Sequence, residues 1–207
     1  MSSESRLFSP RRLEAFSDGV FAIAATLLVL DLSVNHLGKI STDAELWRAF
    51  TEISESALSF VISFLLLCML WTVHLRQFEY VRRVDNTVLW LNTLRLLGVV
   101  LIPFTTSVNA DFGDLLLGRI VLPINFLFIL VLAWMLWLYV SAPERQLLDD
   151  TLSAQEVRAS GRRGLEAVLV GVVVVVLAPF IGSYAFLAFA VQPLADALWQ
   201  RIRRPKE

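Results

Sequence analysis

The 207 residues are 57% hydrophobic and 18% charged with a mean hydropathy of +0.66, more apolar surface than one water-soluble core hides. A formal net charge of −1, with basic residues spread along the chain, leaves no patch for nucleic acid. The single cysteine, Cys68, excludes an internal disulfide and, lying in an apolar run, reads as a small core hydrophobe. An integral membrane protein is what remains.

Arg6, Arg11 and Arg12 precede the first apolar stretch in the manner of a secretory signal. That stretch opens at Asp18 and is followed by no small-residue cleavage site, so it is expected to stay in the mature protein. Ser9-Pro10 predicts a helix start, a capping hydroxyl followed by proline in the first helical position. In "RLEAFSDGVFAIAATLLVLDL" (12–32), helical spacing sets Ile23, Thr26, Leu27 and Leu30 on one stripe, with Gly19 at its inner end and Asp18 roughly opposite. Leucines at this spacing ordinarily pack against a neighbouring helix, and spacing alone does not separate that role from lining a shared axis.

Asp18 falls near the headgroup boundary, where a carboxylate is costly unless it is paired. Ser17 and Asp18 are therefore expected to hydrogen-bond with "WTVH" (Trp71, His74) at the end of the second span and "WLN" (Trp90, Asn92) at the start of the third. A helix-terminal charge in contact with water is the other reading. Asp31, at the far end of the first span, is either a solvated carboxylate or an attractor of cations at a pore mouth.

Further uncharged runs cover 56–75, 96–110, 120–143 and 167–195. The last is about 43 Å long as a single helix, too long for one crossing. Pro179 and Gly182 in "APFIGSY" predict a turn that splits it. The result is an all-α membrane protein of a single domain, 1–207, with six helices at roughly 10–34, 54–77, 86–108, 117–141, 156–180 and 183–204. Lys and Arg support it. One side of the membrane receives Arg6, Arg11, Arg12, then Arg76, Arg82, Arg83, then Arg145, Arg158, Arg162, Arg163, then Arg201, Arg203, Arg204, Lys206; the other receives Lys39, Arg48 and Arg119. Both termini are thus expected in the cytoplasm, in a multi-pass protein of the cell membrane. The polar connection at 141–164 reads as helical. Pro103 is the one mid-span breaker in the third helix, and Arg95 inside that span is expected to pair with Asp18, to snorkel to the surface or to face a vestibule.

Arg12, Phe16, Ser17 and Asp18 match an R-x-x-x-F-S-D signature, and together with "GVFAIAATLLVLDL", "WTVH", "WLN" and "IPFTT" (102–106) the first half of the chain closely resembles the transmembrane protein 175 family of potassium channels. From residue 117 onward only the spacing of spans agrees. The resemblance implies a bacterial-type subunit with one six-helix unit per chain, assembling as a homotetramer around its first helix. It implies a hydrophobic gate in which rings of Ile23, Leu27 and Leu30 narrow the path and Thr26 adds hydroxyls, with permeant potassium ions and no cofactor. Arg12, Phe16, Ser17, Asp18, His74, Trp90 and Asn92 become a signature and helix-packing network. No "TVGYG" filter is present, so selectivity among monovalent cations is expected to be modest, set by dehydration in an apolar ring.

Other classes fit less well. Neither G-x-S-x-G nor H-E-x-x-H occurs, and His36 and His74 fall on opposite sides of the membrane, so no enzyme is expected. A proton-coupled secondary transporter using Asp18 and His74, with Arg95 beside them, is the main alternative, although such transporters usually show inverted repeats. A non-conducting scaffold predicts no flux at all.

Overall fold

The structure, a computed structural model, describes residues 9–31, 41–52 and 54–189. Its helices are α1 Pro10–Leu28, α2 Asp43–Glu52, α3 Ser54–Phe78, α4 Asn86–Val100, α5 Ile102–Asp111, α6 Leu116–Val140 and α7 Ala154–Ile181. A 3₁₀ turn, Val29–Asp31, follows α1, and a longer one, Gly182–Leu187, follows α7. Among the described residues, four stretches are long and apolar enough to cross a membrane: Ala57–Phe78, Asn86–Asp111, Leu116–Val140 and Ala154–Leu187. The all-helical membrane class of the sequence reading holds, and the expected second, fourth and fifth helices are found within a few residues of their bounds.

Three elements differ from expectation. The helix expected at 10–34 ends at Leu28, and its first half carries Arg11, Arg12, Glu14 and Asp18. Its uninterrupted uncharged run, Gly19 to Leu30, falls well short of the ~20 residues a lipid-facing span needs. The helix expected at 86–108 is two, α4 and α5, meeting at Leu101. Pro103 supplies no N–H to the ladder and its ring crowds the carbonyl four residues back, so the span bends there. Asn125 of α6 donates to the Gly98 carbonyl just before the break, at 3.0 Å. The short helix α2 was not anticipated. The sixth helix expected at 183–204 lies mostly outside the described residues.

Helix ends follow from local chemistry. The Asp85 carboxylate caps α4 by accepting from the Val88 N–H at 2.9 Å, and also accepts from the Tyr139 hydroxyl. Ser153 and Glu156 form a reciprocal capping box, which fixes the start of α7. Ser9 occupies the cap position of α1 but makes no side-chain cap bond, so proline alone marks that start. Gly182 turns the chain at the end of α7 with φ +57°, a backbone that favours glycine.

Helices α4, α5 and α7 pack around α6, and α1 lies across α3, α4 and α5. One apolar cluster joins Phe21, Ala24 and Leu28 of α1 to Leu67 and Leu70 of α3, Val99 of α4 and Phe126 and Ile129 of α6. A second, around Phe78, Val84, Val88, Leu136 and Trp137, sits under the loops at the other end. There the 79–85 and 141–153 connections are clamped together by a bridge between Val81 and Leu148 and by Arg82 against Asp149 (3.3 Å) and Asp150 (2.9 Å). The 141–164 connection is therefore helical only in its short Pro143–Arg145 turn and from Ala154 onward. Cys68 is exposed on the outer surface of α3 rather than buried, a correction to its reading as a core residue. An apolar surface turned to lipid satisfies the same sequence pattern as a core.

Close approach of α4 to α6 depends on Gly98, where a Cβ would meet Ile129 Cγ1 at 2.6 Å. Since Ile129 is fully buried and has no room to retreat, Gly98→Ala should destabilise the purified protein by about 1–3 kcal/mol. Thermal unfolding in detergent measures the loss.

Candidate functional site

Helix α1 has two faces with different environments. Ser17, Phe21, Ala24 and Leu28, at spacings of four, three and four, are buried against the rest of the chain. The opposite face carries Phe16, Gly19, Ile23, Thr26, Leu27 and Leu30, uncovered within the chain; Ile23 is 61% and Leu30 67% exposed, whereas Leu28 is 0%. The stripe read from helical spacing is thus a surface that the chain leaves open. Thr26 donates its hydroxyl proton to the Ile23 carbonyl at 2.9 Å, so the lone pairs of its oxygen remain available outward. Gly19 stands in open space on the same side. Asp31 closes the turn after α1; its side chain lies outside the described residues.

The polar residues at the inner end of α1 engage α3 and α4. Asp18 accepts from the Trp71 indole N–H at 3.0 Å. Ser17, wholly buried, donates to the Leu13 carbonyl at 2.8 Å and accepts from Asn92 Nδ2 at 3.1 Å. The anchor expected from sequence therefore exists, divided in two: the carboxylate takes Trp71, and the hydroxyl takes Asn92. Trp90, expected in the network, is instead 64% exposed and makes no hydrogen bond among the described residues. Arg12 and Phe16 are exposed as well.

His74 does not reach Asp18. Its ring lies between Phe21, with centroids 5.6 Å apart, and Phe78, at 4.5 Å. Its Nδ1 faces Arg95 Nη1 at 3.5 Å. A guanidinium can only donate, so Nδ1 is the accepting nitrogen and the ring proton sits on Nε2, which has no partner.

Arg95 itself corrects the sequence reading. It neither pairs with Asp18 nor snorkels nor faces a vestibule: it is fully buried, and no carboxylate lies within ion-pair distance among the described residues. Its partners are neutral oxygens, Gln77 Oε1 at 2.8 Å and the Leu70 carbonyl at 3.3 Å, while Gln77 passes the contact on to the Ala133 carbonyl at 3.0 Å. Gln77 was missed from sequence. It follows His74 by three residues, the spacing that stacks two side chains on one helix face, and that spacing is the signal that could have found it.

Residues 12–103 match the family described as the endosomal/lysosomal potassium channel TMEM175. A potassium channel of Streptomyces collinus is 43% identical over 101 residues, 49% of this chain and 48% of that protein. One from Chamaesiphon minutus is 38% identical over 107 residues, 49% of each. The zebrafish (Danio rerio) endosomal/lysosomal proton channel TMEM175 is 27% identical over 193 residues, 92% of this chain and 36% of that protein. The alignments span about half the length of the bacterial relatives. The crystal structure of a lysosomal potassium-selective channel TMEM175 homolog from Chamaesiphon minutus superposes with a TM-score of 0.70 at 28% identity, over 94% of this chain and 98% of that one.

The two halves of the anchor differ in burial, and so should their removal. Ser17→Ala strands a buried amide on Asn92 and is expected to cost about 1–3 kcal/mol, whereas Asp18→Ala leaves the half-exposed Trp71 indole able to find water and should cost less than about 1 kcal/mol. Parallel melting curves of the two variants give the ranking.

Proposed function

We propose that the chain, whose residues 12–103 match the TMEM175 family of channels, is a subunit of a potassium-permeable channel in which four copies turn the open face of α1 toward a common axis. The observation that carries this reading is the division of α1: a helix too charged in its first half for a lipid-facing span, anchored on one side by Phe21, Ala24 and Leu28 and left open on the other by Ile23, Thr26, Leu27 and Leu30. One such stripe encloses nothing, but repeated about an axis it makes a narrow, mostly apolar tube.

A tube of this kind acts by dehydration. An ion passing Ile23 and Leu27 sheds part of its water, and that loss costs the smaller sodium ion more than potassium. The Thr26 oxygens, their protons committed to the Ile23 carbonyl, return part of the loss. No carbonyl filter is needed, and selectivity is modest. Asp31, one turn beyond at the mouth, would raise the local concentration of cations. The potassium-channel names of the bacterial relatives support this assignment, and the proton-channel name of the zebrafish relative makes proton flux a necessary arm of the test.

The proton-coupled transporter alternative requires Asp18 and His74 to exchange a proton. Asp18 is occupied by Trp71, and His74 is enclosed by two phenylalanines and Arg95, with no hydrogen bond between the two groups. The channel reading is the better supported.

Proteoliposome flux with potassium, sodium and caesium in separate runs tests the proposal, with mass measurement in native-like lipid reading the assembly. Ile23→Ser should raise potassium flux and reduce discrimination against sodium. Thr26→Val keeps the width but removes the oxygens, so selectivity should weaken with little gain in flux. Leu28→Ala, on the buried face, should cost about 2–5 kcal/mol of stability and leave ion selectivity unchanged. Equal effects at Ile23 and Leu28, or a clean monomer, defeat the proposal.

A further inference from the structure

At the end of the bundle opposite the Arg82 clamp, a cavity of about 350 Å³ opens where α5 ends, α6 begins and α7 turns. By the distribution of Lys and Arg, this is the outer end. Its polar frame is fixed: Ser183 donates to Asn109 Oδ1 at 2.6 Å, and Asn109 Nδ2 donates to the Gly118 carbonyl at 2.9 Å. Arg119 is held by two of its nitrogens, Nε to the Gly113 carbonyl at 2.6 Å and Nη1 to the Pro179 carbonyl at 2.8 Å. Its Nη2 has no protein partner, and no carboxylate stands within ion-pair distance of it among the described residues. Asp111 and Asp114 line the same cavity, both exposed and unpaired, so a held cation and two carboxylates share one opening without neutralising each other.

The rim is apolar. Phe180, 78% exposed, Ile181, Tyr184 and Leu58 line it, beside the ends of the candidate spans Asn86–Asp111 and Ala154–Leu187. A soluble ligand has no use for that rim, whereas acyl chains lie along it and place a headgroup at the opening. The charges select the headgroup. A bare cation meets the guanidinium, and an anionic headgroup meets two carboxylates for one cation. A phosphate beside Arg119 Nη2 with an ammonium beside Asp111 and Asp114 satisfies all three. We propose that this cavity binds the headgroup of a membrane phospholipid carrying both a phosphate and an ammonium group, one per subunit, independently of conduction through α1.

The test uses the full chain purified in detergent and mixed with phosphatidylethanolamine and phosphatidylglycerol of identical acyl chains, with bound lipid read by native mass spectrometry. The ethanolamine lipid should be retained about five- to tenfold over the glycerol lipid, the range expected for two exposed charge pairs. Arg119 also holds two backbone carbonyls, so its replacement risks the fold; the double variant Asp111→Asn, Asp114→Asn disturbs neither and should bring retention of the two lipids close to parity. Glycerophosphoethanolamine, the same headgroup without chains, should not displace the lipid at equal concentration. Parity in the unmodified protein, an unchanged preference in the double variant, or displacement by the chain-free headgroup would each overturn the proposal.

Discussion

A guanidinium buried in an apolar bundle without a carboxylate is the constraint that the inner half of this protein must satisfy. Removing such a charge from water costs several kcal/mol unless its donors are met; here Nη1 and Nη2 are met by an amide oxygen and a backbone carbonyl of α3 and by the accepting nitrogen of an imidazole, while Nε is buried without a partner. Each of those partners is then committed. Gln77 must present its oxygen to Arg95 and so turns its amide group to the Ala133 carbonyl of α6; His74 must keep Nδ1 free of a proton. Three helices are held in one relative position by the needs of one side chain. The α1 anchor is built on the same surface, through Asn92, one turn before Arg95 on α4.

That arrangement explains how α1 tolerates being so polar. A helix carrying Arg11, Arg12, Glu14 and Asp18 in its first half is a poor candidate for burial in lipid, but its buried face needs only to fit α3, α4 and α5, and in the assembly proposed above its other face needs only to meet copies of itself. The short stretch from Gly19 to Leu28 is apolar enough for both purposes.

Much of this was legible in the sequence, for physical reasons that differ from residue to residue. The stripe of Ile23, Thr26, Leu27 and Leu30 follows from helical periodicity, and the turn at Gly182 from a glycine just past a proline in an overlong apolar run. Ser17 with Asn92 and Asp18 with Trp71 follow from depth, since all four lie at one level of antiparallel helices. The break at Leu101 was signalled by Pro103 but not its consequence, because a proline in a span bends it as often as it ends it. Arg95 was not legible: a cation in the first turns of a span reads the same whether it reaches out to the surface or inward to Gln77, and only the packing of α3 on α4 decides. Cys68 failed for a related reason, since hydrophobicity marks lipid and core alike in a membrane protein.

The anchor of α1 also bears on the order of assembly. Asp18 finds its Trp71 partner 53 residues along the chain and Ser17 its Asn92 partner 75 residues along, so these two side-chain contacts wait for helices made later. Helices α6 and α7, by contrast, are joined by a short connection and fastened by the Trp134 and Trp137 indoles donating to the Gly161 and Val157 carbonyls, contacts of neighbours in the chain that form with little loss of loop entropy. A ribosome therefore delivers α1 ahead of the helices that stabilise it, and this helix, the earliest of those described to emerge, is among the last to settle. Its placement, and with it the open face of Ile23, Thr26, Leu27 and Leu30, reports that the fold behind it is complete.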